Sequence, residues 1–206
     1  MEDELTKILS EVAKLYNKYG IKSITMDDVA RHLGISKKTL YQYVADKNEL
    51  VEKVLDFAHE CQHRLMHDDA RKELNAIEEL FWVNRKINAF LKEHNPSLEY
   101  DLRKYYPSIW QKFQENKRKY MYINILNNII KGKKEGLYRE ELNEEIIAKL
   151  YLTRIENITN EGIFTIEEYT SPKFFKEVFA YHIRGMANQK GTNFLENNID
   201  KLNIEE

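Results

Sequence analysis

Apolar residues recur along most of this chain at intervals of three and four, the spacing that gathers side chains on one face of an α-helix. Leu5, Ile8, Leu9, Val12, Leu15 and Tyr16 form the first stripe, which predicts a helix from about Asp3 to Tyr19 stopped by Gly20. Two shorter stripes follow: Val29, Ala30 and Leu33, then Leu40 with Val44, with Ile35 plugging the turn between them. The punctuation fits two short helices around a tight turn. Thr25 can cap the first with Asp28 at its third position, Gly34 can stop it, and Ser36 can cap the second, which is expected to run from Ser36 to Val44. The outer face of that second helix carries Lys37, Lys38, Tyr41 and Gln42. Two helices this short bury too little apolar surface alone, so the first helix should pack across them.

The pattern continues to the C-terminal third. A fourth helix is expected from Asp46, its cap, to about Asp68, and a fifth from Glu73 to Asn95 with Ile77, Leu80, Phe81, Ile87 and Leu91 inward. Pro96 opens a short sixth helix and Pro107 ends it, because proline suits a first helical position and breaks an interior. A seventh should span Ser108–Lys134 with the stripe Ile109, Phe113, Tyr120 and Ile123, and its closing lysines read as a solvated helix end. An eighth, Asn143–Glu161, should bury Ile146, Ile147, Leu150, Tyr151 and Ile155. The ninth, capped by Ser171 with Pro172 first, should present Phe175, Val178, Phe179, His182 and Met186 on one face, and the tail after Gly191 is expected to fray. Helix formers such as Glu, Lys, Leu and Ala abound along the chain. The fold class is therefore all-α, of about nine helices, and the seven glycines and three prolines leave little turn material for anything else.

Composition narrows the classes. With 206 residues, 42% hydrophobic and 32% charged, the chain can bury one or two cores. A net charge of −2 does not announce a nucleic-acid partner. Between Lys22 and Asn48, however, the basic residues Lys22, Arg31, Lys37, Lys38 and Lys47 outnumber Asp27, Asp28 and Asp46. The single cysteine, Cys61, excludes an intramolecular disulfide and suits a reducing interior. No apolar run approaches the ~20 residues of a membrane span, and the acidic start Met-Glu-Asp-Glu is unlike a signal peptide. A cytoplasmic location without membrane contact is expected.

Candidate chemistry is sparse. His59, His63 and His67 stand at i, i+4 and i+8, a spacing that can bring two imidazoles to one metal ion. They lie roughly opposite the apolar face of Leu50, Val54, Ala58, Cys61 and Leu65, so the preferred reading is a polar stripe, with no metal and no cofactor assigned. No pair of acids, nucleophile with its base or glycine-rich phosphate loop stands at a chemically meaningful spacing, so no catalytic residue is assigned. The enzymatic alternative, a metal-binding or catalytic bundle retaining the short-helix pair, rests on the histidines alone. More informative are the amides on core faces: Asn84 and Asn88 beside Phe81, and Asn124 and Asn127 beside Trp110, Phe113 and Tyr120. A buried unpaired amide costs about 1–3 kcal/mol. Either neighbouring helices satisfy these groups or a small molecule does, and aromatic walls with a few amides are typical of small-molecule sites.

The run Gly34-Ile-Ser-Lys-Lys-Thr-Leu-Tyr-Gln-Tyr-Val-Ala-Asp-Lys-Asn-Glu-Leu50 resembles the DNA-binding signature of TetR-family transcriptional repressors, in which a Thr-Leu-Tyr core precedes an aromatic or His, an apolar residue and a lysine-rich helix start. The resemblance covers roughly residues 5–55 as motif, and the rest of the chain only in length and helical pattern. One departure is Lys38, where many members carry Gly or Pro. The resemblance implies a helix-turn-helix over residues 1–45 and a sensing and dimerising bundle over 46–206, joined by the fourth helix. The helix capped by Ser36 would enter the major groove of an operator, where Lys37 and Lys38 can meet guanine O6 and N7 and Tyr41 a base edge or thymine methyl. Family similarity places Thr25, Thr39, Tyr43 and Lys47 at phosphates and Gln42 at base or backbone. It also implies a homodimer through the last two long helices, with Phe175, Val178, Phe179, His182 and Met186 at the interface. The function expected is a ligand-responsive repressor released from its operator by a small molecule. A constitutive DNA binder without effector is the nearest variant.

Overall fold

The computed structural model describes residues 2–66, 71–92, 95–158, 163–169 and 171–202. Helices α1 (Glu2–Tyr19), α2 (Met26–Leu33), α3 (Lys37–Leu40), α4 (Lys47–Met66), α5 (Ala76–Lys92), α6 (Pro96–Tyr105) and α7 (Pro107–Lys134) are followed by α8 (Glu144–Ile158), α9 (Ile166–Tyr169), α10 (Pro172–Met186) and α11 (Gln189–Leu202). Among the described residues the extended backbone forms no strand, only a single antiparallel bridge between Tyr138 and Ala187. The all-α expectation holds.

Contacts group the chain into two compact units, 1–67 with 92–117 and 68–91 with 118–206. The expected boundary at residue 45 therefore falls inside the first unit. The reason is the core itself. Ile8, Leu9, Val12, Leu15 and Tyr16 of α1 meet Val29 and Ala30 of α2, Leu40, Val44, and then Leu50, Val51, Val54 and Leu55 of α4, all in one buried cluster that also takes in Leu102 and Tyr106. Short α2 and α3 have too few apolar residues to close this core, so α4 and α6 are recruited to it. Ile109, Trp110 and Phe113 at the start of α7 pack on the same cluster.

The second unit has its own core, in which Ile77 and Phe81 of α5, Ile129 of α7, Tyr138, Tyr151 of α8, and Phe179, Ile183 and Met186 of α10 are buried. Gly132 is required there: a Cβ on it would lie 2.1 Å from the Tyr138 ring. The Tyr138 hydroxyl donates to Asn128 Oδ1 at 3.2 Å, and Asn128 Nδ2 donates to the Ala76 carbonyl at 2.9 Å. Buried Glu79 accepts from Arg71 Nε at 2.8 Å and from Lys131 Nζ at 2.8 Å, so its charge is offset twice.

Three expectations are corrected by this packing. The buried face of α7 is Ile125, Asn128, Ile129 and Gly132, whereas Ile123 and Asn127 are exposed. One long helix serves two cores, with Ile109, Trp110 and Phe113 on the first and Ile125 and Ile129 in the second, so a single stripe does not describe it. On α8, Ala148, Tyr151 and Leu152 are buried while Ile146 and Leu150 are exposed. The tail is helical: α11 inserts Leu195 fully and Phe194 and Ile199 partly into the second core. Asn188 starts it by accepting from Gly191 N at 3.1 Å and donating to the Gly136 carbonyl at 3.0 Å.

Candidate nucleic-acid interface

Local chemistry builds the reading head. Thr25 Oγ1 accepts from Asp28 N at 3.2 Å while the Asp28 carboxylate accepts from Thr25 N at 2.9 Å and from its hydroxyl at 2.6 Å, a complete capping box. Those hydrogen bonds from Thr25 hold the Asp28 carboxyl below its ordinary pKa. Gly34 ends α2 at φ 67°, the left-handed region that glycine enters without a Cβ penalty. Ser36 then caps α3, its Oγ accepting from Thr39 N at 3.0 Å. The second helix is shorter than expected. After Leu40 the chain tightens, with Gln42 N on Thr39 O at 3.1 Å and Tyr43 N on Leu40 O at 3.0 Å, three residues back rather than four.

The predicted contact residues separate into two groups. Thr25, Ser36, Lys38, Tyr41 and Gln42 are exposed on this surface. Among the described residues Lys38 has no acidic partner. Thr25 and Ser36 are engaged in the two caps, and the second group, Lys37, Thr39, Tyr43 and Lys47, also has partners within the protein. Lys37 Nζ donates to Asp27 Oδ2 at 3.0 Å, and that carboxylate raises the lysine's pKa. The Thr39 hydroxyl pairs with Ser36 at 2.7 Å. The hydrogen bond that the half-buried Tyr43 hydroxyl donates to the Glu4 carboxylate, with burial second, pushes the phenol's pKa up. Lys47 Nζ donates to the Ile21 carbonyl at 2.7 Å, and burial and Lys22 lower its pKa. Lys47 thus holds the α1–α2 turn from one side.

Asp101 holds it from the other, a role no spacing in the chain announces. This buried carboxylate accepts from Lys22 N at 2.7 Å, close against Gly20, where a Cβ would stand 3.1 Å from it. Gly20 also has φ 77°, so conformation and space both demand glycine. Asn95 ties the start of α6 to the end of α1, its Nδ2 donating to Asn17 O at 2.8 Å and its N to Asn17 Oδ1 at 3.2 Å. The only signal for this arrangement was Asn95-Pro96 as a helix start; its partner on α1 lies too far away in sequence to be read.

The other predicted sites fare differently. Of the sensing residues, Trp110 and Phe113 lie in the first unit, stacked at 5.9 Å, while Phe81, Asn84, Tyr120, Asn124 and Asn127 lie in the second. Asn124 is satisfied internally, its Nδ2 on Tyr120 O at 2.9 Å and its Oδ1 near Arg71. Asn84 is buried and, among the described residues, its Nδ2 has no hydrogen-bond partner. The side chains of Asn88 and Phe175 lie outside the described residues. Of the expected interface residues, Phe179 and Met186 are buried in the protomer's own core, with Phe179 against Phe81 at 5.7 Å. Val178 and His182 are part-buried, and His182 stacks on Tyr151 at 3.7 Å. The apolar side chains that α8 and α10 leave to solvent are instead Ile146, Leu150 and Tyr181, at 56%, 61% and 78% exposure. His59 meets the edge of Phe113 at 6.2 Å, and His67 lies outside the described residues. No helix of the described residues is long and apolar enough to cross a membrane.

Comparison with known proteins agrees with this geometry. The profile for "Bacterial regulatory proteins, tetR family" matches residues 8–54. A Bacillus subtilis (strain 168) protein described as an uncharacterized HTH-type transcriptional regulator, YvaF, is 27% identical over 183 residues, covering 88% of this chain and 94% of its own. A solved transcriptional regulator from Cytophaga hutchinsonii ATCC 33406 superposes with TM-score 0.72 at 16% identity, over 90% of this chain and 99% of its own. The TetR family protein CprB from Streptomyces coelicolor, solved in complex with its biological operator sequence, gives TM-score 0.61 at 18% identity over 98% of each chain. At such identities the two structures speak for the fold.

Proposed function

The chain is a TetR-family transcriptional regulator, and from that premise we propose that it is an effector-responsive homodimer that reads an operator through α3 and releases it when a small molecule occupies the second unit. The observation that carries the DNA-reading part is the capped α2–turn–α3 geometry. It leaves Lys38, Tyr41 and Gln42 exposed side by side while Ser36 and Thr39 are held locally. Lys38 is the free donor for a guanine edge, and Tyr41 and Gln42 supply an apolar or amide contact beside it. Lys37 must leave Asp27 before it can contact a base, so Lys38 ranks above it. Lys47 supports the turn and contributes charge rather than a first contact.

The sensing part is supported by buried polar atoms of the second unit that have no hydrogen-bond partner among the described residues: Asn84 Nδ2, Arg154 Nε and His182 Nε2. Buried polar atoms are nearly always paired, and those that are not mark a functional or strained place. Effector binding there can release DNA only by favouring one conformation of the dimer over another. The interface is proposed on the solvent side of α8 and α10, because Ile146, Leu150 and Tyr181 are large apolar side chains exposed there in the protomer. The sign of regulation is proposed as repression.

Selection of bound duplexes from a random pool tests the reading. A near-palindromic consensus is expected, with log affinity falling against log salt by about 0.9 per neutralised phosphate. Lys38→Ala is expected to relax base choice at one position of each half-site at a cost of about 1–3 kcal/mol. Uniform weakening on all sequences would move the base contact elsewhere on α3.

A further inference from the structure

Helix α6 brings a second set of cations to the reading head. Lys22, in the α1–α2 turn, and Lys104, on α6, both stand over the ring of Tyr105, with their ammonium groups 4.6 and 5.3 Å from its centroid. Lys104 also covers Tyr100 at 5.2 Å and donates to its hydroxyl at 2.8 Å. On the other side of the turn, Lys18 lies over Tyr19 at 4.9 Å. Tyr100 and Tyr105 are 58% and 39% exposed, so the patch faces solvent.

Charge balance sets these lysines apart. Lys14, Lys37, Lys53 and Lys112 of the same unit each pair with a carboxylate. Among the described residues, Lys18, Lys22 and Lys104 have none within ion-pair distance. The acids on α6 are spent, since Asp101 is buried on Lys22 N and Glu99 faces Arg103. Two ammonium groups are therefore held on one ring, at most about 10 Å apart, where they repel each other at ordinary salt. A cation–π contact orients a cation without neutralising it. The group that completes the arrangement is an anion.

Position says which anion. Lys22 stands three residues before Thr25, no more than about 11 Å along the chain, and Thr25 caps the helix whose N-terminus belongs to the DNA-reading surface. An extended polyanion lying along that surface passes the α1–α2 turn next. Lysine ammonium groups and tyrosine hydroxyls both serve as donors to phosphate oxygens. We propose that Lys22, Lys104, Tyr100 and Tyr105 form a second contact with the DNA backbone, on the duplex flanking the base pairs read by α3. The contact is independent of sequence. It rests on the reading that α3 docks in the operator, and it assigns α6 a direct place in DNA binding in addition to its place in the core.

The test is a double variant, Lys22→Gln with Lys104→Gln, both exposed positions, compared with wild type on two duplexes: the selected operator trimmed to its consensus, and the same operator with ten further base pairs on each side. The extended duplex is expected to bind the variant roughly tenfold more weakly, with a salt slope smaller by about 0.9 for each phosphate lost. On the trimmed duplex variant and wild type should be equal, and base preference should not change. Equal affinity and slope on the extended duplex would overturn the proposal, as would the same loss on both lengths, which would place the lysines inside the consensus footprint. Vesicles of equal phosphatidylglycerol and phosphatidylcholine that bind wild type and not the variant, with DNA binding unaltered, would reassign the patch to a membrane surface and overturn it too. A wild-type protein that binds neither duplex would instead sink the assignment of α3.

Discussion

The backbone N–H of Lys22 depends on a single carboxylate supplied from far along the chain. Replacing Asp101 with leucine removes that acceptor and leaves a part-buried donor unpaired, at a cost of about 1–3 kcal/mol. Asp101→Leu is expected to lower the melting temperature and weaken operator binding, whereas Asp101→Asn keeps an acceptor oxygen and most of both. Equal losses in the two variants would show that charge, not the hydrogen bond, matters at Asp101. His182 invites a pH experiment. Burial, with Arg154 second, depresses its pKa to about 3, far below the ordinary value of 6.5. Between those values the unfolded chain binds a proton that the folded chain refuses, so stability rises with pH through that window and is fully present above pH 6.5. Acidifying from pH 6.5 to 4.5 should therefore cost wild type up to about 1.4 kcal/mol per pH unit more than it costs His182→Phe. Parallel denaturation curves for the two proteins would mean that the ring is charged or solvated in the fold.

At the scale of elements, α8 and α10 each turn one face to the second core and another to solvent. The inward faces supply Ala148, Tyr151, Leu152, Phe179, Ile183 and Met186 to the second core, and the outward ones expose Ile146, Leu150 and Tyr181. Periodicity alone ranks Phe179 as an interface residue because it cannot distinguish the two. Leu150→Glu is expected to yield folded monomers in sedimentation, with far-UV dichroism unchanged, since a charge on an exposed position costs the protomer little. Phe179→Asp is expected to unfold the protein, because an unpaired charge in a packed core costs several kcal/mol. A dimer of unaltered affinity in Leu150→Glu would move the interface off this face.

For the whole molecule, effector and operator act on each other through a coupling free energy, and about 1–3 kcal/mol suffices for a 5–150-fold change in operator affinity. Asn84 is the residue at which sensing and packing can be told apart. Its Nδ2 is buried with no hydrogen-bond partner among the described residues, so Asn84→Leu should raise thermal stability whatever its role. If it also abolishes release of the operator by the effector while operator affinity is kept, the amide is a ligand contact. Release unaltered in a more stable protein would make it a core defect only.

The caps and turns of the reading head were legible because they are local: Thr25 with Asp28, Gly34, and Ser36 with Thr39 satisfy one another within a few residues, and the exposed Lys38, Tyr41 and Gln42 follow from helix periodicity. The all-α class and most helix limits were legible for the same reason. What required the tertiary structure was every choice between equivalent apolar faces and every partner distant in sequence. Lys37 on Asp27, Lys47 on Ile21 and Asp101 on Lys22 are engagements that no spacing encodes. Asn127 and Asn128 are neighbours in the chain, yet the first is solvated and the second buried against Ala76 and Tyr138, because the face α7 turns inward is set by the helices it meets. Hydrogen-bonded caps are decided within one helical turn, whereas burial is decided by which surfaces compete for the same core.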